Sequence, residues 1–196
     1  MHSLVALIAL SAAMFAATNL DGLFVLMAFY ADPAHRGPQI VAGHYLGMGI
    51  LFGASLALSL AALAVPPSAI GWLGLVPIGL GLKKLWDLHA GRGAQPAVPG
   101  DPGGGVPGAL VVAAVTVANG GDNIGVYVPQ FAIYSGRQVL VMGLVFAVFT
   151  GLWCALASAV LAHPSWGPAI RAQGHRWVPW GLIALGLWTL FEAGIL

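Results

Sequence analysis

The chain is organised by long, unbroken apolar runs that show none of the one-in-two alternation of barrel strands. Six of them have about the length that a helix needs to cross a bilayer, roughly 20 residues. They are Leu4–Phe29, Ile40–Ala64, Ile70–Trp86, Gly108–Tyr134, Val139–Leu161 and Val178–Gly194. Pro66-Pro67 separates the second from the third, and no ionisable residue lies between Tyr45 and Leu82. Hydrocarbon forces every backbone amide to find a partner within its own segment, so these runs predict helices. The first run has no Lys or Arg before it and outlasts the 7–15-residue core of a signal peptide, so it is read as a mature helix.

Composition agrees with this pattern. Only 7% of the 196 residues are charged and 59% are hydrophobic, with mean hydropathy +0.91. A soluble globule cannot cover its surface with so few charges. A net charge of +1 offers no electrostatic footprint for DNA or RNA, so no nucleic-acid partner is expected. The single cysteine, Cys154, excludes a disulfide framework and a dithiol redox pair. The expected class is an all-α polytopic membrane protein, with the lipid bilayer as its first partner.

The basic residues orient it. Arg36 falls in the first loop, Lys83, Lys84 and Arg92 at the third, and Arg171 and Arg176 in the fifth, with Arg137 alone on the other side. The positive-inside rule then places loops one, three and five in the cytoplasm and both termini outside.

The stretch His89–Gly108 holds seven Gly and four Pro in twenty residues and reads as a linker. It divides the chain into a three-helix repeat at 1–88, a cytoplasmic linker at 89–107 and a second three-helix repeat at 108–196. Halves with three spans each insert in opposite orientations, the inverted-repeat plan of many transporters. Aligned on Asp21 and Asp122, Ala17-Thr18-Asn19-Leu20-Asp21-Gly22 matches Ala118-Asn119-Gly120-Gly121-Asp122-Asn123 at an offset of about 101. Val76-Pro77-Ile78-Gly79-Leu80 matches Val178-Pro179-Trp180-Gly181-Leu182 at an offset of 102.

Asp21 and Asp122 are the two acids deep inside predicted spans. A carboxylate at the bilayer centre costs about 2.5–3.5 kcal/mol on insertion scales, and such residues normally mark an ion path. Asn119, Asp122 and Asn123 fall at i, i+3 and i+4 on one helix face, and Thr18 shares a face with Asp21, beside Asn19. Two carboxylates with amide and hydroxyl oxygens make a site for a divalent cation, and Gly22, Gly120, Gly121 and Gly125 allow close approach or local opening of the helices. The bland alternative is protonated acids acting as polar glue. His44, the one histidine inside a span, reads as a hydrogen-bonded packing residue, with a ligand or proton relay as the alternative. Glu192, at the outer end of the last span, reads equally as an exit-side cation or proton contact and as a solvated helix end. Met14 and Cys154 read as core.

Five segments resemble the cadmium resistance transporter (CadD-like) family of the lysine exporter superfamily. They are Ala17-Thr18-Asn19-Leu20-Asp21, Gly43-His44-Tyr45-Leu46-Gly47, the stretch from Leu73 to Lys83, the stretch from Val115 to Pro129, and the end from Leu185 to Glu192. The resemblance spans nearly the whole chain in order. It implies export of a divalent heavy metal, cadmium and also zinc, from a bacterial cell across its inner membrane. It also implies roles for Asp21, Asn119, Asp122 and Asn123. The sequence departs from the family at His44, where glutamine is expected, at Gly22, where some relatives carry a second acid, and before Asp122, where some carry cysteine.

No GxxxxGK[ST] loop is present. Moving a doubly charged ion out against an inside-negative potential costs about 4.6 kcal/mol per 100 mV, so protons are the expected coupling partner. No permanently bound cofactor is expected; the metal is cargo. A homo-oligomer is compatible with the sequence. Export of an amino acid or other small solute is the alternative transport reading. A membrane-embedded aspartyl enzyme is a remote one, because Gly120-Gly121-Asp122 is not a Gly-x-Gly-Asp motif and no HExxH occurs.

Overall fold

The computed structural model describes residues 4–33, 35–62, 72, 75–90, 108–162, 179–180, 183–188, 190–191 and 195. Among them the chain is helical and contains no strand. In chain order the helices are α1 (Leu4–Ala31), α2 (Gly37–Ala62), α3 (Leu75–His89), α4 (Gly108–Asn119), α5 (Gly121–Ile133) and α6 (Gly136–Ala162). Residues 183–188, within the predicted sixth span, are helical as well.

Three helices, Leu4–Ala31, Gly37–Ala61 and Gly136–Leu161, are long and apolar enough to cross a membrane. The predicted fourth span is not one straight helix. It is broken into α4 and α5, which bend by 67° at Gly120, and counts as a fourth crossing if the pair is one span. The described α3 has 15 residues, fewer than a crossing needs. Chain direction changes at short connections, such as the Tyr134–Ser135 link into α6, where the Ser135 amide is held by Gln138 Oε1 at 2.9 Å.

The surface is apolar. Leu140, Leu144, Val148, Leu152 and Leu156 recur every fourth residue along α6 and are all exposed. A continuous outward stripe of this kind suits hydrocarbon and not water.

Inside, α1 packs most extensively against α6, and α2 against α4 and α5. The α2–α4 contact rests on two glycines. A Cβ at Gly43 would run into the Ala109 carbonyl oxygen and lie 2.7 Å from Val112 Cβ; one at Gly47 would lie 2.6 Å from Thr116 Cβ and 3.0 Å from the Ala113 carbonyl oxygen. Gly43 and Gly47 are four apart and so form a small-residue seam of the kind that lets membrane helices touch backbone to backbone. Gly47→Ala should therefore destabilise the protein by about 1–3 kcal/mol through overpacking. The check is the thermal midpoint of the purified protein, where about 2–4 °C is expected per kcal/mol for a chain of this size; an unchanged midpoint would contradict the seam.

The buried apolar side chains form two clusters. One gathers Leu7, Met14 and Phe15 of α1, Met48 and Leu51 of α2, Val126, Tyr127 and Phe131 of α5, and Val139, Met142 and Phe146 of α6. The other gathers Leu23 to Met27 and Phe29 of α1, Ile40 of α2, Val111, Val112 and Val115 of α4, and Cys154, Ala157 and Val160 of α6. Every one of these helices except α4 and α5 contributes to both, and the α4–α5 break falls between them. Met14 and Cys154 are core residues, as expected from the sequence.

Candidate functional site

Between the two clusters lies a layer of polar side chains. Thr18 and Asn19 sit at mid-length of α1, after Met14 and Phe15 of one cluster and before Leu23 of the other. His44 stands between Ile40 and Met48 on α2 in the same way. Thr116, Asn119 and Asn123 flank the break. All six side chains line one cavity, with Gly22 and Gly120. Its volume is about 10 Å³, room for one water-sized particle.

The layer is tied together by hydrogen bonds across the helices. Thr18 Oγ1 donates back to the Met14 carbonyl at 3.0 Å, as a hydroxyl in mid-helix commonly does. Its oxygen then meets the Tyr127 hydroxyl of α5 at 2.9 Å. Asn19 Nδ2 lies 3.0 Å from the Phe15 carbonyl, 2.9 Å from Thr18 Oγ1 and 2.9 Å from the Tyr127 hydroxyl. Asn123 Nδ2 donates to Asn19 Oδ1 at 3.0 Å. Trp153 Nε1 of α6 donates to the Asn19 carbonyl at 2.9 Å. On the other wall, His44 Nδ1 and Thr116 Oγ1 are 3.2 Å apart. Buried polar groups in an apolar bundle need such partners, and a complete set fixes the helices in one register.

Two atoms in the layer have no hydrogen-bond partner among the described residues, Asn123 Oδ1 and His44 Nε2. Both side chains are almost wholly buried, with 1% and 2% exposed.

The break has a local cause. The Gly120 amide reaches the Thr116 and Val117 carbonyls at 3.0 and 3.2 Å, which ends α4, and the Asn123 amide bonds the Gly120 carbonyl at 3.1 Å, which starts α5. Gly120 is also where Leu51 of α2 presses closest; a Cβ there would collide with Leu51 Cδ1. The shared helix face expected for Asn119, Asp122 and Asn123 is therefore not formed, since Asn119 ends one helix and the other two residues begin the next.

Of the residues singled out from the sequence, the structure brings Thr18, Asn19, His44, Asn119 and Asn123 to one cavity. Asp21 and Asp122 do not line it. Each immediately precedes a residue that does, Gly22 and Asn123, and each is partly buried at the flank of its helix. Asp122 stands in the first turn of α5, where the helix dipole favours a negative charge. Glu192 lies outside the described residues. Thr116, Tyr127 and Trp153 belong to the layer but read in the sequence as parts of apolar helices. Among the described residues, no three of His, Cys, Asp and Glu come together as a metal cluster. An ion held here would take amide, hydroxyl and imidazole donors, with the aspartates supplying charge from beside the cavity.

A polar layer buried between apolar ones, at a broken helix, is a feature that membrane transporters use. The kind of transporter follows from comparison with known families. The chain belongs to the cadmium resistance transporter family, whose model matches residues 15–98 and 105–196. The protein is accordingly a multi-pass membrane transporter whose family handles a metal cation. No curated protein and no solved structure matches the chain.

Proposed function

We propose that this protein exports divalent heavy-metal cations, cadmium and also zinc, from the bacterial cytoplasm across the inner membrane in exchange for protons. The observation that carries the reading is the buried layer of oxygen and nitrogen donors at the α4–α5 break, flanked by Asp21 and Asp122. The two carboxylates balance the charge of a divalent ion, and exchange of that ion for protons at them is the antiport step. Thr18, Asn19, Asn119 and Asn123 shape the site between them.

The full architecture in this reading is six spans in two inverted three-helix repeats, 1–88 and 108–196, joined by a cytoplasmic linker, with both termini outside. The packing supports it. If α4 with α5 is the counterpart of α1, and α6 that of α2, the two most extensive contacts, α1 with α6 and α2 with the broken helix, are copies of one another. Residues at the pseudo-symmetry axis should touch their own counterparts. Tyr45 donates its hydroxyl hydrogen to the Ala147 carbonyl at 2.8 Å, across 102 positions. Gly81 meets Ile183, also 102 positions away. Both spacings equal the 102-residue offset of the Val76 and Val178 segments and exceed that of the aspartate segments by one.

The test is transport by the purified protein in liposomes. Cadmium should move, zinc should compete with it, and lysine should not. At fixed voltage, an imposed proton gradient should accelerate cadmium movement. Equal rates with and without the gradient would remove the antiport step, and competition by lysine would favour a solute exporter.

A further inference from the structure

We propose that His44 Nε2 and Asn123 Oδ1 are the direct ligands of the cargo ion, and that His44 makes the site prefer zinc-like ions over harder ones such as manganese. This rests on the export reading above and names the donors within it.

Each of the two side chains is anchored by one polar atom, leaves the other without a partner among the described residues, and belongs to a residue that lines the same cavity. His44 is held through Nδ1 to Thr116 Oγ1 at 3.2 Å, and Asn123 through Nδ2 to Asn19 Oδ1 at 3.0 Å. The remaining atoms, Nε2 and Oδ1, are buried with no partner among the described residues. They come from different helices, α2 and α5, and belong to two residues that line a space for one water-sized particle. In the tautomer whose Nδ1–H donates to Thr116, Nε2 carries a lone pair, and the amide oxygen carries two. Two acceptors facing one small space are satisfied by a cation or by the two hydrogens of a water molecule.

The anchoring is that of a metal-binding imidazole, whose second nitrogen is usually tied to an oxygen that fixes the ring and its tautomer. Thr116 is then a positioning residue. The seam of Gly43 and Gly47, on either side of His44, presses α2 against α4 and sets the distance to Thr116, which itself lies against Gly47. Asn19 plays the same part for Asn123. Imidazole suits zinc and its neighbours, whereas sites of oxygen alone suit manganese, magnesium and calcium. Exchanging the ring nitrogen for an amide should therefore change which ion is carried.

The experiment measures zinc, cadmium and manganese transport separately in liposomes holding wild type, His44→Gln or Thr116→Val. The ratio of zinc to manganese transport should fall about tenfold in His44→Gln, and in the same direction but less in Thr116→Val. An unchanged ratio, with all three proteins active, overturns the ligand assignment and leaves the export reading standing. A wild type that moves none of the three metals overturns both. X-ray absorption at the zinc edge on wild-type protein loaded with less than one equivalent needs no folded variant. It should show the outer-shell scattering of an imidazole. A shell of oxygen alone would mean that the cavity holds water and that His44 only packs.

Discussion

Cells that express Asp122→Asn should tolerate cadmium no better than cells without the protein, and should accumulate it to the same level. Asp21→Asn should do the same. The substitution keeps size and hydrogen-bonding capacity, so what it removes is charge. Two unit charges about 4 Å apart interact by about 4 kcal/mol at an effective dielectric of 20, and a divalent ion doubles that. Even a fifth of the doubled figure, about 1.6 kcal/mol, is more than tenfold in affinity. The aspartates stand one residue away from the cavity-lining Gly22 and Asn123, so in the export reading they act on the ion through their field and not as its closest donors. Asp122 also sits in the first turn of α5. Asp122→Glu, which restores the charge on a longer stem, should recover part of the tolerance. If both Asn variants protected as well as wild type, the aspartates would have no part in transport.

Asn19→Leu should have the largest effect on stability. Its amide nitrogen lies within bonding distance of three acceptors, and its oxygen holds Asn123. Leucine matches its branched shape, with bulkier ends, but leaves Asn123 Nδ2 and part of the Tyr127 hydroxyl unsatisfied in an apolar interior. At about 1–3 kcal/mol for each buried group left without a partner, the loss is roughly 2–4 kcal/mol. For a chain of this size the thermal midpoint should fall by about 10 °C. Thr18→Val should cost less, because the Tyr127 hydroxyl keeps Asn19 as a partner. A melting curve of Asn19→Leu within a degree of wild type would show that the layer does not hold the helices together.

The long helices were legible because a continuous apolar run in lipid has few alternatives. The predicted Leu4–Phe29 and Val139–Leu161 lie inside the observed Leu4–Ala31 and Gly136–Ala162. The bend was only half legible. Gly120-Gly121 marks a weak point, but neither the 67° angle nor the packing of Leu51 from another helix beside Gly120 can be read from the pair. The site was legible through its cost: polar residues in an apolar run stand out, which picked Thr18, Asn19, Asn119, Asn123 and His44 as well as the two aspartates. Their grouping was not legible. His44 and Thr116 are 72 positions apart, and Asn19 and Asn123 are 104 apart, so only the folded bundle shows that the amides and the imidazole, and not the carboxylates, face the cavity. Tyr127 and Trp153 were hidden for another reason. Their rings match the apolar pattern, and only the tip of each side chain is polar.

The two apolar clusters on either side of the polar layer have a consequence for speed. Phe15, Tyr127, Phe131 and Phe146 interlock on one side, with ring centroids 4.8 Å apart between Tyr127 and Phe146 and 5.5 Å apart between Phe15 and Phe146. Leu23 to Met27 and Phe29 fill the other. In the export reading, an ion reaches or leaves the layer when one of these clusters parts. In that reading turnover would follow how fast these aromatic and aliphatic side chains unlock and close again, and not how quickly the ion finds its ligands.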